Sequence, residues 1–297
     1  MRVLIAGASG LIGSALVHRL TADGHTAVPL VRRLAGPGEV RWDPHAGLLD
    51  PDAVAGCDAV VNLSGAGIGD RRWSAGYKRE LLASRLEATG LLANTLATLD
   101  HRPAVLISGS AIGWYGSRGD EHLDETSAPG DDFLSTVCQR WEAATAPAER
   151  AGVRTVHIRT GIVLSARGGS LKKQLPLFKL GIGGRFGSGR QWQSWISIDD
   201  EVAAISHLLT ADASGPVNLT APNPVTNAGF TKTLGNVLHR PTFVPIPMFG
   251  PKLLFGAELA ETLLLSSQRV APVALSGSGF EFRHPTLDAA LRAVLGR

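Results

Sequence analysis

Apolar residues recur along the first half of the chain in two alternating patterns. Short runs such as RVLIAG, TAVPLV, AVVNLS and AVLISGS are typical of buried strands, whereas residues 14–22 and 77–99 repeat their apolar positions at helical spacing. A further helix is predicted over 135–152, before the strand-like run TVHIRTGIVLS. Strands that alternate with helices predict a parallel sheet with crossover helices, and therefore an α/β fold with a doubly wound sheet of the Rossmann type.

The second half of the chain is less regular. Residues 167–195 are rich in glycine and predict a loop around one short helix, LKKQLPLFKL. A helix VAAISHLLTA, a strand PVNLT, a helix NAGFTKTLGNVLH and a proline-rich tail follow. We therefore predict a Rossmann domain over 1–165, completed by about 196–235, and a smaller, discontinuous substrate-binding region formed by 166–195 and 236–297.

The composition is that of a globular protein, with 44% hydrophobic and 19% charged residues. The net charge is only +3 and the basic pairs are scattered, so a nucleic-acid partner is not expected. Cys57 and Cys138 have neither CxxC spacing nor a nearby histidine pair, so we predict no metal site and a reducing, cytoplasmic location. The first apolar run is too short for a signal or membrane segment, so no membrane partner is predicted; the oligomeric state stays open.

A glycine motif, GASGLIG, stands between the first predicted strand and the first helix. Glycines here permit a tight turn and a close approach of the backbone to a pyrophosphate, while the helix N-terminus offers free N–H groups. The alternative is a plain tight turn, which the strand, turn and helix context disfavours. The predicted dinucleotide contacts are Gly7, Ser9, Gly10, Leu11, Ile12 and Gly13.

Two arginines, Arg32 and Arg33, follow the second predicted strand. A free ribose 2′-hydroxyl usually meets an acid at this place, whereas a 2′-phosphate requires a guanidinium. Residues 26–36 contain no acid, so the sequence predicts NADP as the cofactor, bound first by Arg32 and second by Arg33. The alternative is a solvated basic pair on a loop.

Several motifs together resemble a known family. GASGLIG is similar to the extended and atypical short-chain dehydrogenase/reductases, and further words resemble the sugar-epimerase-like subfamily of NAD(P)-dependent epimerase family proteins: RWD at 41–43, NLSGAGI at 62–68, RTGIVLS at 159–165 and GSGRQWQSWISIDD at 187–200. The resemblance runs from Met1 to about Leu295. It implies an oxidoreductase or epimerase but indicates little about the substrate. Our leading interpretation is an NADP-dependent enzyme acting on a small, polar substrate, with a sugar nucleotide as one candidate.

The resemblance also implies further cofactor contacts. The NLSG word places Asn62, Leu63, Ser64 and Gly65 along the adenosine and pyrophosphate, and Val163 beside the nicotinamide. Glu80 and Arg85 lie on the long helix, where they either approach the cofactor or form an exposed charged face. Ser108, in the strand AVLISGS, is a further predicted cofactor contact.

The catalytic groups are incomplete by the same resemblance. Ser110 fits the serine that polarises a carbonyl, and Tyr115 matches a Tyr-Gly word, but the expected Tyr-x-x-x-Lys pair falls on Leu134 and Cys138. Either Tyr115 or a group of the glycine-rich segment replaces the pair, or the protein binds NADP(H) without the usual turnover. The alternative function is therefore a non-catalytic protein that senses NADP(H) or serves in interactions.

The word GSGRQWQSW is predicted to form one wall of the substrate pocket. Arg190 and Gln191 offer hydrogen-bond donors, while Trp192 and Trp195 offer apolar faces. In the alternative interpretation both tryptophans simply cover the edge of the sheet. Just beyond this word, the pair at 199–200 is expected to cap a helix. His157, within an apolar strand, is expected to be a core residue.

Overall fold

The computed structural model describes residues 1–297, apart from the side chain of Phe255. The strands are β1 (Arg2–Ala6), β2 (Thr26–Val31), β3 (Val40–Asp43), β4 (Leu48–Leu49), β5 (Ala59–Asn62), β6 (Val105–Ala111), β7 (His122–Leu123), β8 (Arg154–Thr160), β9 (Ile162–Leu164), β10 (Trp192–Gln193), β11 (Trp195–Ser197), β12 (Gly215–Leu219), β13 (Val225–Thr226) and β14 (Arg269–Val270). The helices are α1 (Leu11–Ala22), α2 (Pro51–Val54), α3 (Ala75–Thr98), α4 (Phe133–Ala143), α5 (Ala146–Arg150), α6 (Gly169–Lys179), α7 (Ile198–Leu208), α8 (Asn227–Leu238), α9 (Phe249–Phe255), α10 (Ala257–Leu265), α11 (Val273–Gly277) and α12 (Leu287–Leu295), with a 3-10 turn at Ile112–Tyr115.

One sheet of eight strands organises the molecule, in the order β12, β8, β6, β5, β1, β2, β3, β4. Every neighbouring pair in it is parallel except β3 and β4, which are antiparallel. The strand order reverses direction at β1, and ligands bind parallel sheets at such a point, outside the carboxyl ends of the strands. The predicted α/β fold of the Rossmann type is confirmed.

The sheet is covered on both faces because its strands are apolar on both sides. Val3 and Ile5 pack into a cluster with residues of α1 and α7, whereas Leu4 and Ala6 pack on the other face with residues of α3. Burial on both faces is what the continuous apolar runs of the sequence predict. A separate cluster joins α6, α8 and α12, including the fully buried Trp195.

Several predicted boundaries are corrected. The first helix begins at residue 11 rather than 14, and the helix predicted over 135–152 is divided into α4 and α5. The proline-rich stretch 240–250 and the residues after it, for which no element was predicted, form α9 to α12 and β14. β14 pairs in parallel with β7, 147 residues earlier in the chain. No described helix is long and apolar enough to cross a membrane, and the described residues contain no cluster of three or more metal-ligating side chains.

The acidic pair at 199–200 does not cap α7 as predicted. The N-cap is Ser197, whose hydroxyl accepts a hydrogen bond from the Asp200 amide. Asp200 is buried and its carboxylate accepts hydrogen bonds from the amides of Arg283 and His284, at 2.8 and 3.0 Å. The carboxylate therefore fastens the C-terminal segment to α7.

Glu201, the next residue of α7, is fully buried. Its Oε1 accepts a hydrogen bond of 2.9 Å from the Thr160 hydroxyl, and its Oε2 has no hydrogen-bond partner among the described residues. Burial raises the pKa of Glu201 from 4.5 to about 8, although the bond from Thr160 opposes the shift. Folding therefore favours the protonated carboxyl of Glu201.

This raised pKa predicts how stability depends on pH. Between pH 4.5 and 8 the folded protein holds the Glu201 proton more tightly than the unfolded chain does. The stabilisation of the folded state by protonated Glu201 is therefore complete below pH 4.5 and is lost as the pH rises through 8. Relative to Glu201→Gln, the free energy of unfolding should fall by about 1.4 kcal/mol per pH unit in this window. Urea titrations at several pH values measure it, with exposed Glu281→Gln as the control; parallel curves for Glu201→Gln and the unchanged protein would contradict it.

Candidate functional site

The turn between β1 and α1 is built so closely that only glycine fits. Gly7 has a φ of +80°, and a Cβ on it would lie 2.7 Å from the Leu63 carbonyl carbon and oxygen. A Cβ on Gly13 would lie 2.1 Å from the Gly7 carbonyl oxygen. The turn thus packs directly on the chain that leaves β5.

The N-terminus of α1 leaves donors free beside this turn. Its N-cap, Gly10, has no side chain, and the amides of Leu11, Ile12 and Gly13 donate no hydrogen bond to any described residue. Ser9 is an exposed residue of the turn. Unpaired amides at the positive end of a helix favour the binding of phosphate oxygens.

Arg32 and Arg33, beyond the end of β2, have different surroundings. The Arg33 guanidinium donates two hydrogen bonds of 2.6 Å to Glu39, whose carboxylate also accepts one from the Gly36 amide. Hydrogen bonding within this pair raises the pKa of Arg33 and lowers the pKa of Glu39. Arg32 is exposed and makes no hydrogen bond or ion pair with any described side chain, so it is the one of the two that is free to meet an anion.

The segment that follows β5 lies next to the glycine turn. Asn62 is fully buried; its amide donates to the Thr89 hydroxyl at 2.9 Å, and its Oδ1 accepts from the Ser64 amide at 3.2 Å. The Leu63 amide donates to the Ala6 carbonyl of β1. Asn62 therefore shapes this segment from below, and Leu63 and Ser64 form its surface.

Arg85 and Glu80, for which the sequence left open a place at the cofactor or on an exposed charged face, have different surroundings in the structure. Arg85 is buried; it donates to the Ala66 carbonyl at 3.0 Å, lies 4.9 Å from the centre of the Trp141 ring and packs against Gly65, and its burial lowers its pKa. Glu80 is exposed and lies 3.5 Å from the Arg71 guanidinium. Arg85 therefore supports the loop after β5, whereas Glu80 belongs to the surface.

Ser108 and Val163 lie in different sheets, Ser108 in the middle of β6 and Val163 in β9, which pairs with β11. Ser108 is fully buried in β6, and its hydroxyl has no partner among the described residues. Val163 is half-buried in β9 and pairs with Ile196 of β11.

The two candidate catalytic hydroxyls are both engaged inside the protein. Ser110 donates to Glu142 Oε1 at 2.6 Å. Tyr115 has no exposed surface and donates to Asn218 Oδ1 at 2.7 Å. Burial raises the pKa of Tyr115 to about 12, although a hydrogen bond from Arg159, with an N–O distance of 3.2 Å, opposes the shift. Neither group is poised to exchange a proton with a ligand in this geometry.

A buried ion pair connects these two hydroxyls. Arg159 Nε and Nη2 donate to the two carboxylate oxygens of Glu142 at 2.9 and 3.0 Å, and the guanidinium lies 3.8 Å from the centre of the Trp114 ring. Sequence reasoning did not identify Glu142, Arg159 or Asn218. The signal was present, because an arginine inside the apolar strand TVHIRT requires a buried partner.

The positions of the missing Tyr-x-x-x-Lys pair are apolar. Leu134 is half-buried on α4, and the Cys138 thiol is buried, with its sulfur 3.6 Å from the Ala111 carbonyl oxygen at the end of β6. Burial raises the pKa of Cys138 to about 12. His157, predicted to be a core residue, is nearly buried, and burial lowers its pKa.

The predicted wall GSGRQWQSW is divided between core and surface. Gln191 is buried and donates to the carbonyls of Phe186 and Leu264 at 3.2 and 2.8 Å. Trp195 is fully buried and donates to the Asn223 carbonyl, so the prediction that its face meets a substrate is corrected.

The other two residues of this wall remain accessible. Trp192 is half-buried, and its indole N–H donates to Asp120 at 2.8 Å. The Arg269 guanidinium lies over the Trp192 ring, 4.2 Å from the ring centre. Arg190 is exposed, and its guanidinium has no hydrogen bond to any described residue.

Known proteins resemble the chain over its whole length. The profile of the NAD dependent epimerase/dehydratase family matches residues 3–220, and that of a domain of unknown function (DUF1731) matches residues 246–294. Epimerase family protein Mb2239 of Mycobacterium bovis is 47% identical over 291 residues, 97% of this chain and 96% of that protein. The crystal structure of human epimerase family protein SDR39U1 (isoform 2) with NADPH superposes with a TM-score of 0.91 at 37% identity, covering 100% of this chain and 99% of that one. UDP-glucose 4-epimerase of Thermotoga maritima, solved with UDP-glucose, has a TM-score of 0.78 at 16% identity over 100% and 98% of the two chains, which is a likeness of fold alone.

The buried ion pair makes a stability prediction. Glu142→Gln keeps the shape of the side chain but leaves the Arg159 guanidinium buried without a counter-charge, which costs about 3 kcal/mol. Thermal and urea unfolding should both show the loss. Glu39→Gln neutralises the partner of the exposed Arg33 and should leave the melting temperature unchanged. Equal effects of the two changes would contradict this account.

Proposed function

Because the chain belongs to the NAD dependent epimerase/dehydratase family, we propose that it binds NADP(H) at the edge of the sheet where β1, β2 and β5 end. The family resemblance predicted from the motifs is thereby confirmed. The observation that carries the proposal is the pairing of a glycine-only turn with a free arginine, Arg32, at the end of the next strand.

The residues present fit each part of such a cofactor. The free amides at the start of α1 suit the pyrophosphate, and Gly7 and Gly13, where a Cβ would collide with the protein's own backbone, permit the tight turn that presents these amides. Leu63 and Ser64 form the neighbouring surface. The human relative solved with NADPH, at 37% identity, supports the choice of NADP over NAD.

Arg32 determines this choice in our proposal. A 2′-phosphate would be repelled by an acid at the end of β2, and the nearby acid, Glu39, is already occupied by Arg33 and the Gly36 amide. Arg32 has no competing partner among the described residues, so its full charge is available to the phosphate.

The engaged hydroxyls favour a protein that binds and senses NADP(H) over one that transfers protons by the usual route. Ser110 and Tyr115 donate to internal acceptors, and Leu134 and Cys138 replace the usual pair. A cytoplasmic location stays part of the proposal, supported by the two free, buried cysteines.

Arg159 favours a second candidate function, an oxidoreductase or epimerase acting on a small polar substrate. NADP(H) would supply or accept the hydride. The guanidinium donates to the Tyr115 hydroxyl at 3.2 Å, where a cation favours the phenolate, as the missing lysine does in the wider family. This route requires Tyr115 to become accessible when a substrate binds.

Cofactor preference is the first test. Arg32→Ala should weaken NADP(H) binding by about one to two decades, which corresponds to the loss of one charge-assisted contact of about 1.5–3 kcal/mol, and leave NAD(H) binding unchanged. Calorimetry with both cofactors measures this. Arg33→Ala is the matched control and should have a smaller effect, because Arg33 is held by Glu39. Equal affinity of the unchanged protein for NADP and NAD would refute the proposal.

Turnover distinguishes the two candidates. A screen of carbonyl and sugar substrates, followed by nicotinamide absorbance, should show no turnover if the protein only binds and senses NADP(H). If a substrate is turned over, Tyr115→Phe should lower kcat by about two decades or more when Tyr115 supplies the proton. A kcat that is unchanged in Tyr115→Phe removes this residue from the reaction.

A further inference from the structure

Exposed apolar side chains are concentrated at one end of the molecule. Among the side chains that the structure describes, nine of the thirteen large hydrophobic residues that are exposed lie in two segments, 177–182 and 243–263. They are Leu177, Leu180, Ile182, Phe243, Val244, Phe249, Leu253, Leu254 and Leu263, and Phe243 is 92% exposed. A contiguous exposed apolar patch marks an interaction site rather than an ordinary surface.

The two segments form one surface because they are joined. The Ile246 amide donates to the Arg185 carbonyl at 2.9 Å, and Arg240 Nε donates to the Lys179 carbonyl at 2.9 Å. Gly184 permits this contact, since a Cβ there would lie 1.8 Å from the Val244 carbonyl oxygen. We call residues 172–185 and 240–263 together the basic apolar end.

A cleft of about 410 Å³ opens beside this surface. The described residues that line it include three cations, Arg185, Lys232 and Arg240, and no acid; Phe243 lines it as well. The guanidinium of Arg185 and the ammonium of Lys232 make no hydrogen bond or ion pair with the described side chains. Arg240 is held in place by the Lys179 and His239 carbonyls.

The wall of the cleft is built by a close turn. Gly235 of α8 permits residues 240–242 to fold back on the helix, because a Cβ there would lie 2.5 Å from the Thr242 methyl group. The Arg240 amide donates to the Gly235 carbonyl at 2.9 Å, and His239 takes a left-handed conformation with φ 53°. This turn therefore places Arg240 beside Lys232 of α8 at the wall of the cleft.

The charge of the surface indicates what covers it. Residues 172–185 contain four cations and no acid. The two acids of 240–263, Glu258 and Glu261, are paired with Lys78 and Lys252. A second copy of the chain would bring cations against cations, whereas an anionic lipid surface offers phosphates to the cations and an apolar layer to the exposed side chains.

We propose that the basic apolar end docks on the surface of an anionic phospholipid membrane. Phe243, Phe249 and Leu253 enter the interface, and Arg185, Lys232 and Arg240 bind lipid phosphates in the cleft. The contact is peripheral. The sequence predicted no membrane partner because its first apolar run is too short for a membrane segment, and that argument did not consider the apolar residues of 177–182 and 243–263.

Vesicle flotation tests the proposal on the full chain. The protein should float with vesicles of phosphatidylcholine and phosphatidylglycerol and stay unbound with phosphatidylcholine alone. Phe243→Ser with Phe249→Ser should reduce the bound fraction about tenfold. Leu48→Ser, a change of an exposed leucine on β4, is the matched control and should not reduce it.

The charged part is tested separately. Lys232→Glu should weaken binding to the anionic vesicles about fivefold or more, and Arg150→Glu, the same change of charge on α5, should weaken it less. Absence of flotation with anionic vesicles, or equal flotation with both kinds, would overturn the proposal. So would a dimer in light scattering that Phe243→Ser with Phe249→Ser dissociates, because a second copy would then cover the surface.

Discussion

The buried pair of Arg159 and Glu142 is the constraint on which the interior polar structure depends. Two charges removed from water must satisfy each other and use nearly every remaining donor and acceptor around them. The guanidinium therefore meets the Tyr115 hydroxyl and stacks on Trp114, and the carboxylate takes the Ser110 hydroxyl. β6, β8 and α4 are joined at one point as a result.

The same network extends to the C-terminal region. Tyr115 donates to Asn218 at the end of the sheet, and the Asn218 amide group donates to the Ala271 carbonyl. Glu125 accepts from the backbone amides of Asn218 and Ala274. Residues that resemble catalytic groups by position are thus used to hold two parts of the fold together, which explains why their hydroxyls point inward.

The sequence predicted the sheet and the glycine turn, because each depends on local pattern and on rules that hold for every parallel sheet, and it placed two arginines after β2. It did not predict that Glu39 would occupy Arg33, since that contact depends on how the loop after β2 folds back. The burial of Trp195 and the helices of the tail also depend on packing between distant segments. Aromatic residues in a glycine-rich word suit a pocket wall and a core equally well.

The pairing of β14 with β7 has a consequence for biosynthesis. During synthesis, residues 122–123 leave the ribosome long before residues 269–270. β7 therefore has no β14 to pair with at the stage when most strands of the large sheet have already been synthesised. Contacts so distant in sequence form late and slowly. Nascent chains halted before residue 269 would expose the buried face around Leu123, and chaperones would recognise them as incomplete.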